Sequence, residues 1–130
     1  MRLLVTGGAG FIGCNFVRHL LAQRRNARVR ILDKLTYAGS LDNLEGVLDD
    51  PRVEFVQGDI CDRPTVELAA EGVDFIVHLA AESHVDRSII SAEAAVQTNF
   101  VGSFRVFEAA RAAGVARVLH VSTDEVYGAC

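Results

Sequence analysis

The chain has 130 residues, half of them hydrophobic and 7% aromatic, with a formal net charge of −4. That length suits one domain with its own core, and the acidic balance excludes the basic footprint used against nucleic acid or anionic lipid. No apolar run is long enough for a transmembrane helix, and no charged leader precedes the first strand-like run, so neither a membrane span nor a secretory signal is expected.

In chain order, Arg2 to Thr6 predicts a strand that runs into the glycine-rich turn Thr6-Gly7-Gly8-Ala9-Gly10-Phe11-Ile12-Gly13. A helix is expected over Phe11 to Arg25, where Phe11, Ile12, Phe16, Leu20 and Leu21 recur at helical spacing. Arg24, Arg25, Arg28 and Arg30 form a basic cluster expected to decorate a helix end, where cations complement the dipole. Arg28 to Leu32 and Val53 to Val56 predict the second and third strands. Pro64 to Ala70 predicts a short helix with Asp62 as N-cap and the proline in its first turn. Val73 to Leu79 predicts a fourth strand, Ser91 to Ala113 a long Ala-rich helix ended by Gly114, and Ala116 to Ser122 a fifth strand. These strands are apolar almost continuously, which predicts helices on both faces. The alternation of strand and helix predicts an α/β fold with a doubly wound parallel sheet, a Rossmann fold.

Gly7, Gly10 and Gly13 are spaced three apart, between a strand and a helix. A dinucleotide site needs such glycines for a tight turn, close backbone approach to a pyrophosphate and packing of helix on sheet, while the helix N-terminus offers free amides. A flexible loop would also use glycines. Asp33, twenty residues after Gly13, stands where a carboxylate accepts ribose hydroxyls and repels a 2′-phosphate, which favours NAD over NADP. Lys34 follows directly and blurs that charge argument. Asp59, just past the third strand, suits an adenine amino group with Ile60 against the ring, and equally suits a loop or N-cap role.

His78 sits within an apolar strand and is expected as a packed core histidine, with His19 and His120 structural as well. Cys14, Cys61 and Cys130 are odd in number, without zinc or disulfide spacing, so no metal is expected and a reduced, cytoplasmic setting is. Cys14 and Cys61 suit small buried positions. Thr123, Asp124 and Glu125 close the fifth strand, the end at which open parallel sheets hold ligands. Neighbours in a regular strand face opposite ways, so the two carboxylates can address one substrate only if the chain leaves extended geometry there. Alone, they suit a solvated pair or helix N-cap.

The glycine turn TGGAGFIG resembles that of the extended short-chain dehydrogenase/reductase superfamily. Within it, DKLTYAG (33–39), HLAAESHVDRSI (78–89) and STDEVYG (122–128) resemble the dTDP-glucose 4,6-dehydratase family, so that the likeness runs from Met1 to Gly128. Ser40 stands where the family often has Asn, and Ala129-Cys130 departs from its pattern.

The resemblance implies roles residue by residue. Phe11 and Ile12 line the pyrophosphate with Gly7, Gly10 and Gly13; Asp33, Lys34, Leu35 and Thr36 surround the adenosine ribose; Asp59 and Ile60 hold the adenine. Leu79, Ala80, Ala81, Glu82 and Ser83 border the cofactor, Ser83 also reaching substrate, and Thr98 is a further cofactor contact. Asn99 resembles a supporting Asn of the catalytic centre. Tyr37 either packs over the adenosine or fills a loop, and His84, Asp86 and Arg87 form either a hydrogen-bond cluster or a subunit contact.

Glu125 is implied as the base that removes the C5 proton of a nucleotide-hexose, Asp124 as the acid for the C6 hydroxyl, and Thr123 as a partner of the C4 hydroxyl. The implied cycle is oxidation at C4, loss of water across C5 and C6, and return of the hydride to C6. The superfamily's Tyr-x-x-x-Lys pair does not occur after Ser122, so the chain is expected to stop before the C-terminal substrate-binding region and to lack turnover by itself; a homodimer is expected of the longer enzyme. The rivals are an epimerase or decarboxylase of the same superfamily, and a non-catalytic NAD-binding module.

Overall fold

The computed structural model describes residues 1–35, 40–81, 93 and 96–122. Five strands, β1 (Arg2–Thr6), β2 (Arg28–Asp33), β3 (Val53–Gln57), β4 (Phe75–His78) and β5 (Arg117–His120), form one sheet in the order β3-β2-β1-β4-β5. All four pairings are parallel. Helix α1 (Phe11–Gln23) links β1 to β2, α2 (Arg63–Ala70) links β3 to β4, and α3 (Ser103–Ala112) precedes β5. The chain winds outward from β1 to β3, then crosses to β4 on the other side, so the switch point lies between β1 and β4. The doubly wound Rossmann sheet expected from the sequence is present.

Strand alternation sorts the core into two layers. Leu4, Leu32 and Ile76 pack with Val66, Ala69 and Ala70 of α2 and Val106, Ala109 and Ala110 of α3. Leu3, Val5, Val29, Ile31 and Val77 face the other way, against Cys14 and Val17 of α1 and against Leu44 and Val47. Leu44 belongs to a 3-10 turn, Leu41–Leu44, which the sequence pattern did not predict; the Ser40 hydroxyl accepts the Asp42 amide at its start. Leu4, Ile31 and Leu32 are wholly inaccessible. Each contributes about 1.5–3 kcal/mol through burial.

Two expectations change and a third is met in part. Of the arginine cluster expected at a helix end, Arg30 reaches one, that of α2, while the end of α1 is closed from outside the cluster. Arg52 closes α1, its Nη1 donating to the carbonyls of Leu21, Arg24 and Arg25 at 3.1, 3.2 and 3.3 Å, while Asp50 holds Nη2 at 2.8 Å. Arg30 instead reaches the end of α2, at the carbonyls of Ala69 and Glu71, and pairs with Glu54.

The expected long helix is not one regular α-helix. A π-helical turn, Gln97–Gly102, precedes α3 and lies against Ile60 and Cys61; a Cβ on Gly102 would stand 2.5 Å from Ile60 Cδ1. Finally, β5 pairs with β4 alone and its four residues are exposed, so among the described residues its apolar run is not covered on both faces. Asp62 does hold the N-cap position of α2, but its carboxylate takes the Thr65 hydroxyl in place of a backbone amide.

His78 is fully buried, as a packed histidine should be, and joins the layers at the switch point. The Thr6 hydroxyl oxygen accepts the amides of Leu79 and Ala80 at 3.1 and 3.2 Å. Its proton is thereby directed to His78 Nδ1, 2.5 Å away, which leaves Nε2–H to donate to the Ser103 hydroxyl at 2.8 Å. His120 stacks on the ring with centroids 5.0 Å apart, and Phe107 meets it edge-on at 6.1 Å. Burial, then the charge of His120, pushes the His78 pKa down to about 4.

The unfolded chain protonates this histidine near its ordinary value of 6.5, and the fold does not until about 4. The stability contributed by neutral His78 is therefore complete above pH 6.5 and is lost progressively as pH falls towards 4, by up to about 3 kcal/mol. Urea unfolding across this range should show that slope in the wild type and a shallower one in His78→Gln. Equal slopes would remove His78 as the source.

Candidate dinucleotide site

The C-terminal ends of β1, β2 and β4 meet around the glycine turn. Gly7 takes a left-handed φ of +74°, and a Cβ there would lie 2.7 Å from the Ala80 nitrogen. Gly13 faces the same crowding, its Cβ falling 2.3 Å from the Gly7 carbonyl oxygen. Backbone thus lies against backbone, and α1 begins immediately above β1. Gly10 is the N-cap and supplies no side chain to the first-turn amides, which leaves them facing outward as an anion site requires. Phe11 and Ile12 flank that end, 79% and 63% exposed, where a ligand at the helix N-terminus would cover them.

The Ala9 peptide is held at both ends. Its N–H donates to Asp33 Oδ2 at 2.9 Å, and its carbonyl accepts Asn43 Nδ2 at 2.7 Å and the Ser40 amide at 3.2 Å. Arg18 of α1 in turn donates to the carbonyls of Asn43 and Glu45. Asp33 is buried, and its second oxygen accepts the Leu35 amide at 2.8 Å, with Leu35 at a φ of 61°. A residue expected to meet a ribose therefore also fixes the phosphate turn. Each oxygen keeps a second lone pair for a hydroxyl. Sequence reading missed Asn43 and Arg18 altogether, since nothing in a loop asparagine's neighbours says which distant carbonyl it will reach.

At the next strand end, Asp59 Oδ1 accepts the Cys61 amide at 2.9 Å and Oδ2 pairs with Lys34 Nζ at 3.2 Å. Burial pushes the Asp59 carboxyl up, but the Cys61 amide and Lys34 outweigh it and hold the group below its ordinary value. Ile60 is buried beneath Gly102, and the Cys61 thiol donates to the Gln97 carbonyl of the π turn. Leu79 and Ala80 are half-buried and tied to Thr6, while Ala81 is exposed. Thr98 lies half-buried in the π turn beside Asn99. Thr36, Tyr37, Glu82, Ser83, His84, Asp86, Arg87, Thr123, Asp124, Glu125 and Tyr127 lie outside the described residues. Among the described residues, the glycine turn, Asp33, Asp59, Ile60, Leu79 and Ala80 thus lie along the C-terminal ends of β1 to β4. Among the described residues no helix is long and apolar enough to cross a membrane.

Residues 4–130 match the family described as GDP-mannose 4,6 dehydratase. The low-salt glycan biosynthesis protein Agl12 of Haloferax volcanii is 56% identical over 98% of this chain and 41% of its own length. A dTDP-glucose 4,6-dehydratase of Neisseria meningitidis is 52% identical over 98% of this chain and 39% of its own. The crystal structure of the dTDP-glucose 4,6-dehydratase DesIV from Streptomyces venezuelae with NAD and TYD bound superposes with a TM-score of 0.95 at 55% identity, over all of this chain and 42% of that one. The chain spans about two fifths of the length of these relatives.

The close approach at Gly7 sets a stability test. Gly7→Ala should cost roughly 2–4 kcal/mol, the sum of a left-handed alanine and a displaced Ala80. Gly46→Ala shares the positive φ, at +80°, but meets nothing within 4 Å, and should cost only about 1 kcal/mol. Chemical denaturation of both variants separates the two effects, and equal losses would deny the backbone contact its role.

Proposed function

We propose, given that the chain belongs to the GDP-mannose 4,6-dehydratase family, that it forms the NAD-binding Rossmann part of a nucleotide-sugar 4,6-dehydratase acting on dTDP-glucose. The observation that carries this reading is the glycine cradle at the switch point, crowded against Ala80 and roofed by an N-terminus without a side-chain cap. NAD-bound dTDP-glucose 4,6-dehydratase as a structural neighbour supports it, as do the dehydratases among the relatives. The described residues fit the cofactor: first-turn amides and the glycine backbone for the pyrophosphate, Phe11 and Ile12 beside it, and Asp33 with Lys34 and Leu35 for the ribose. Asp59 and Ile60 would hold the adenine, with Leu79, Ala80, Ala81 and Thr98 bordering the remainder; Thr36, Glu82 and Ser83 join them by the resemblance alone.

NAD, when bound, supplies a reversible acceptor for the hydride at sugar C4. The chain's own contribution to the chemistry is proton handling. Thr123 hydrogen-bonds the C4 hydroxyl and, with Ser83, orients the sugar. A carbonyl at C4 acidifies the C5 proton, which Glu125 removes as base; Asp124 protonates the departing C6 hydroxyl as acid. For this step the acid must start protonated and the base ionised. The C4 hydroxyl proton would pass to a base among further residues of the full-length protein, and the 4-keto-5,6-ene left by water loss would take the hydride back at C6 and a proton at C5 from Glu125, so that product and cofactor leave the cycle as dTDP-4-keto-6-deoxyglucose and unchanged NAD. The full-length protein is a cytoplasmic homodimer in this reading, with further residues of that protein holding the nucleotide-sugar.

Incubation of the full-length protein with dTDP-glucose and NAD should yield the 4-keto-6-deoxy product, and a 4-epimer instead would overturn the dehydratase reading. Within it, Glu125→Gln should permit oxidation at C4 yet block solvent deuterium from entering C5, so that NADH absorbance persists in a single turnover. Asp124→Asn should slow water loss by about 10²–10⁴-fold while proton exchange at C5 survives. A Glu125→Gln enzyme as fast as wild type would remove the base assignment.

A further inference from the structure

Lys34 stands next to Asp33 at the end of β2, where a cation ordinarily welcomes the 2′-phosphate of NADP. Its ammonium is turned to the neighbouring strand end. Gly58 N–H donates to the Asp33 carbonyl at 3.0 Å, which fixes the two strand exits side by side. The Cys61 amide orients the Asp59 carboxylate from below at 2.9 Å, and the free oxygen of that group meets Lys34 Nζ at 3.2 Å. The side chains are 59% and 37% exposed, so the pair is open enough for an incoming anion to compete for the lysine.

We propose that Asp59 is a specificity-determining residue, which discriminates against NADP by holding Lys34 in an ion pair and denying its charge to a 2′-phosphate. The inference rests on the dinucleotide reading above and goes beyond it, because Asp59 there meets only adenine. Two carboxylates then divide the discrimination. Asp33 repels the 2′-phosphate directly, and Asp59 withdraws the cation that would have offset that repulsion. A 2′-phosphate that recruited Lys34 would break a pair already formed and leave Asp59 without its counter-charge. Asparagine at position 59 keeps an oxygen for the Cys61 amide and for an adenine amino group, but no charge to hold the lysine.

Dissociation constants of the full-length protein for NAD and NADP, by titration calorimetry, provide the test. In Asp59→Asn the ratio of the NADP constant to the NAD constant should fall about tenfold, the worth of one charge-assisted contact regained. Adding Lys34→Ala to that variant should restore the ratio. If Asp59→Asn does not fold, Asp59→Ser carries the same expectation. An unchanged ratio, or a fall that persists without Lys34, overturns the proposal while tight NAD binding by the wild type leaves the dinucleotide reading standing. A wild type that binds neither dinucleotide overturns both.

Discussion

The chain leaves β1 in a space too narrow for a side chain. A methyl group at Gly7 would stand 2.7 Å from the Ala80 nitrogen, and one at Gly13 would stand 2.3 Å from the Gly7 carbonyl oxygen. This contact of backbone on backbone sets where α1 begins, and hence where its first-turn amides point. It also brings Ala9 within reach of Asp33 and Asn43, whose bonds lock the turn onto β2 and the segment that follows it. The outward-facing amides of the first turn are thus a by-product of packing at the switch point. The same contact holds the exit of β4, because the Leu79 and Ala80 amides find their acceptor on Thr6, one residue before Gly7.

Polar groups in such a place must all be partnered, since a buried donor or acceptor without one costs about 1–3 kcal/mol. The chain of Thr6, His78 and Ser103 meets this demand with three side chains from three elements, each satisfying the next. Neutral imidazole suits the arrangement, donating at one nitrogen and accepting at the other. A protonated ring would have two donors and leave the Thr6 hydroxyl proton facing another. Burial and hydrogen bonding thus favour the same protonation state. Asp33 answers the same demand differently, with a carboxylate whose oxygens each take one amide and keep capacity for more.

The fold was legible because its strands are short Val, Ile and Leu runs separated by helical stretches, a pattern that two-sided burial in a parallel sheet requires. β1 spans Arg2–Thr6 as its apolar run predicted, and β2 and β3 differ from theirs by one residue at an end. Legibility failed where the decisive partner is far away in sequence. Arg24 and Arg25 looked like the cations for α1, but Arg52 arrives from the entry to β3 with a carboxylate beside it to hold its fork. The π turn at Gln97–Gly102 has no local signature either; its glycine makes sense only once Ile60 is seen beneath it. In the site, glycines and Asp33 were readable from spacing. Asn43 was not, because a side-chain amide reaching a carbonyl in another loop leaves no period in the chain.

The two halves of the proposed site depend on different physics. In the proposed reading, cofactor binding at the C-terminal ends of the strands is done mainly by backbone: amides of a helix start, glycines that admit close approach, carbonyls and amides clamped by Asp33 and Asn43. Such a device constrains geometry strongly. The proposed elimination chemistry would depend on two side chains, Asp124 and Glu125, whose residue types alone fit a solvated loop as well as an acid–base pair. Their meaning comes from resemblance in the surrounding sequence and from the position of β5, which ends at His120, next to the cofactor edge. Substitutions in the two halves should therefore act on different quantities. Changes in the glycine cradle shift folding and dinucleotide affinity together, because one contact network sets both. Changes to the carboxylate pair leave that network intact and act on the barrier between bound sugar and product.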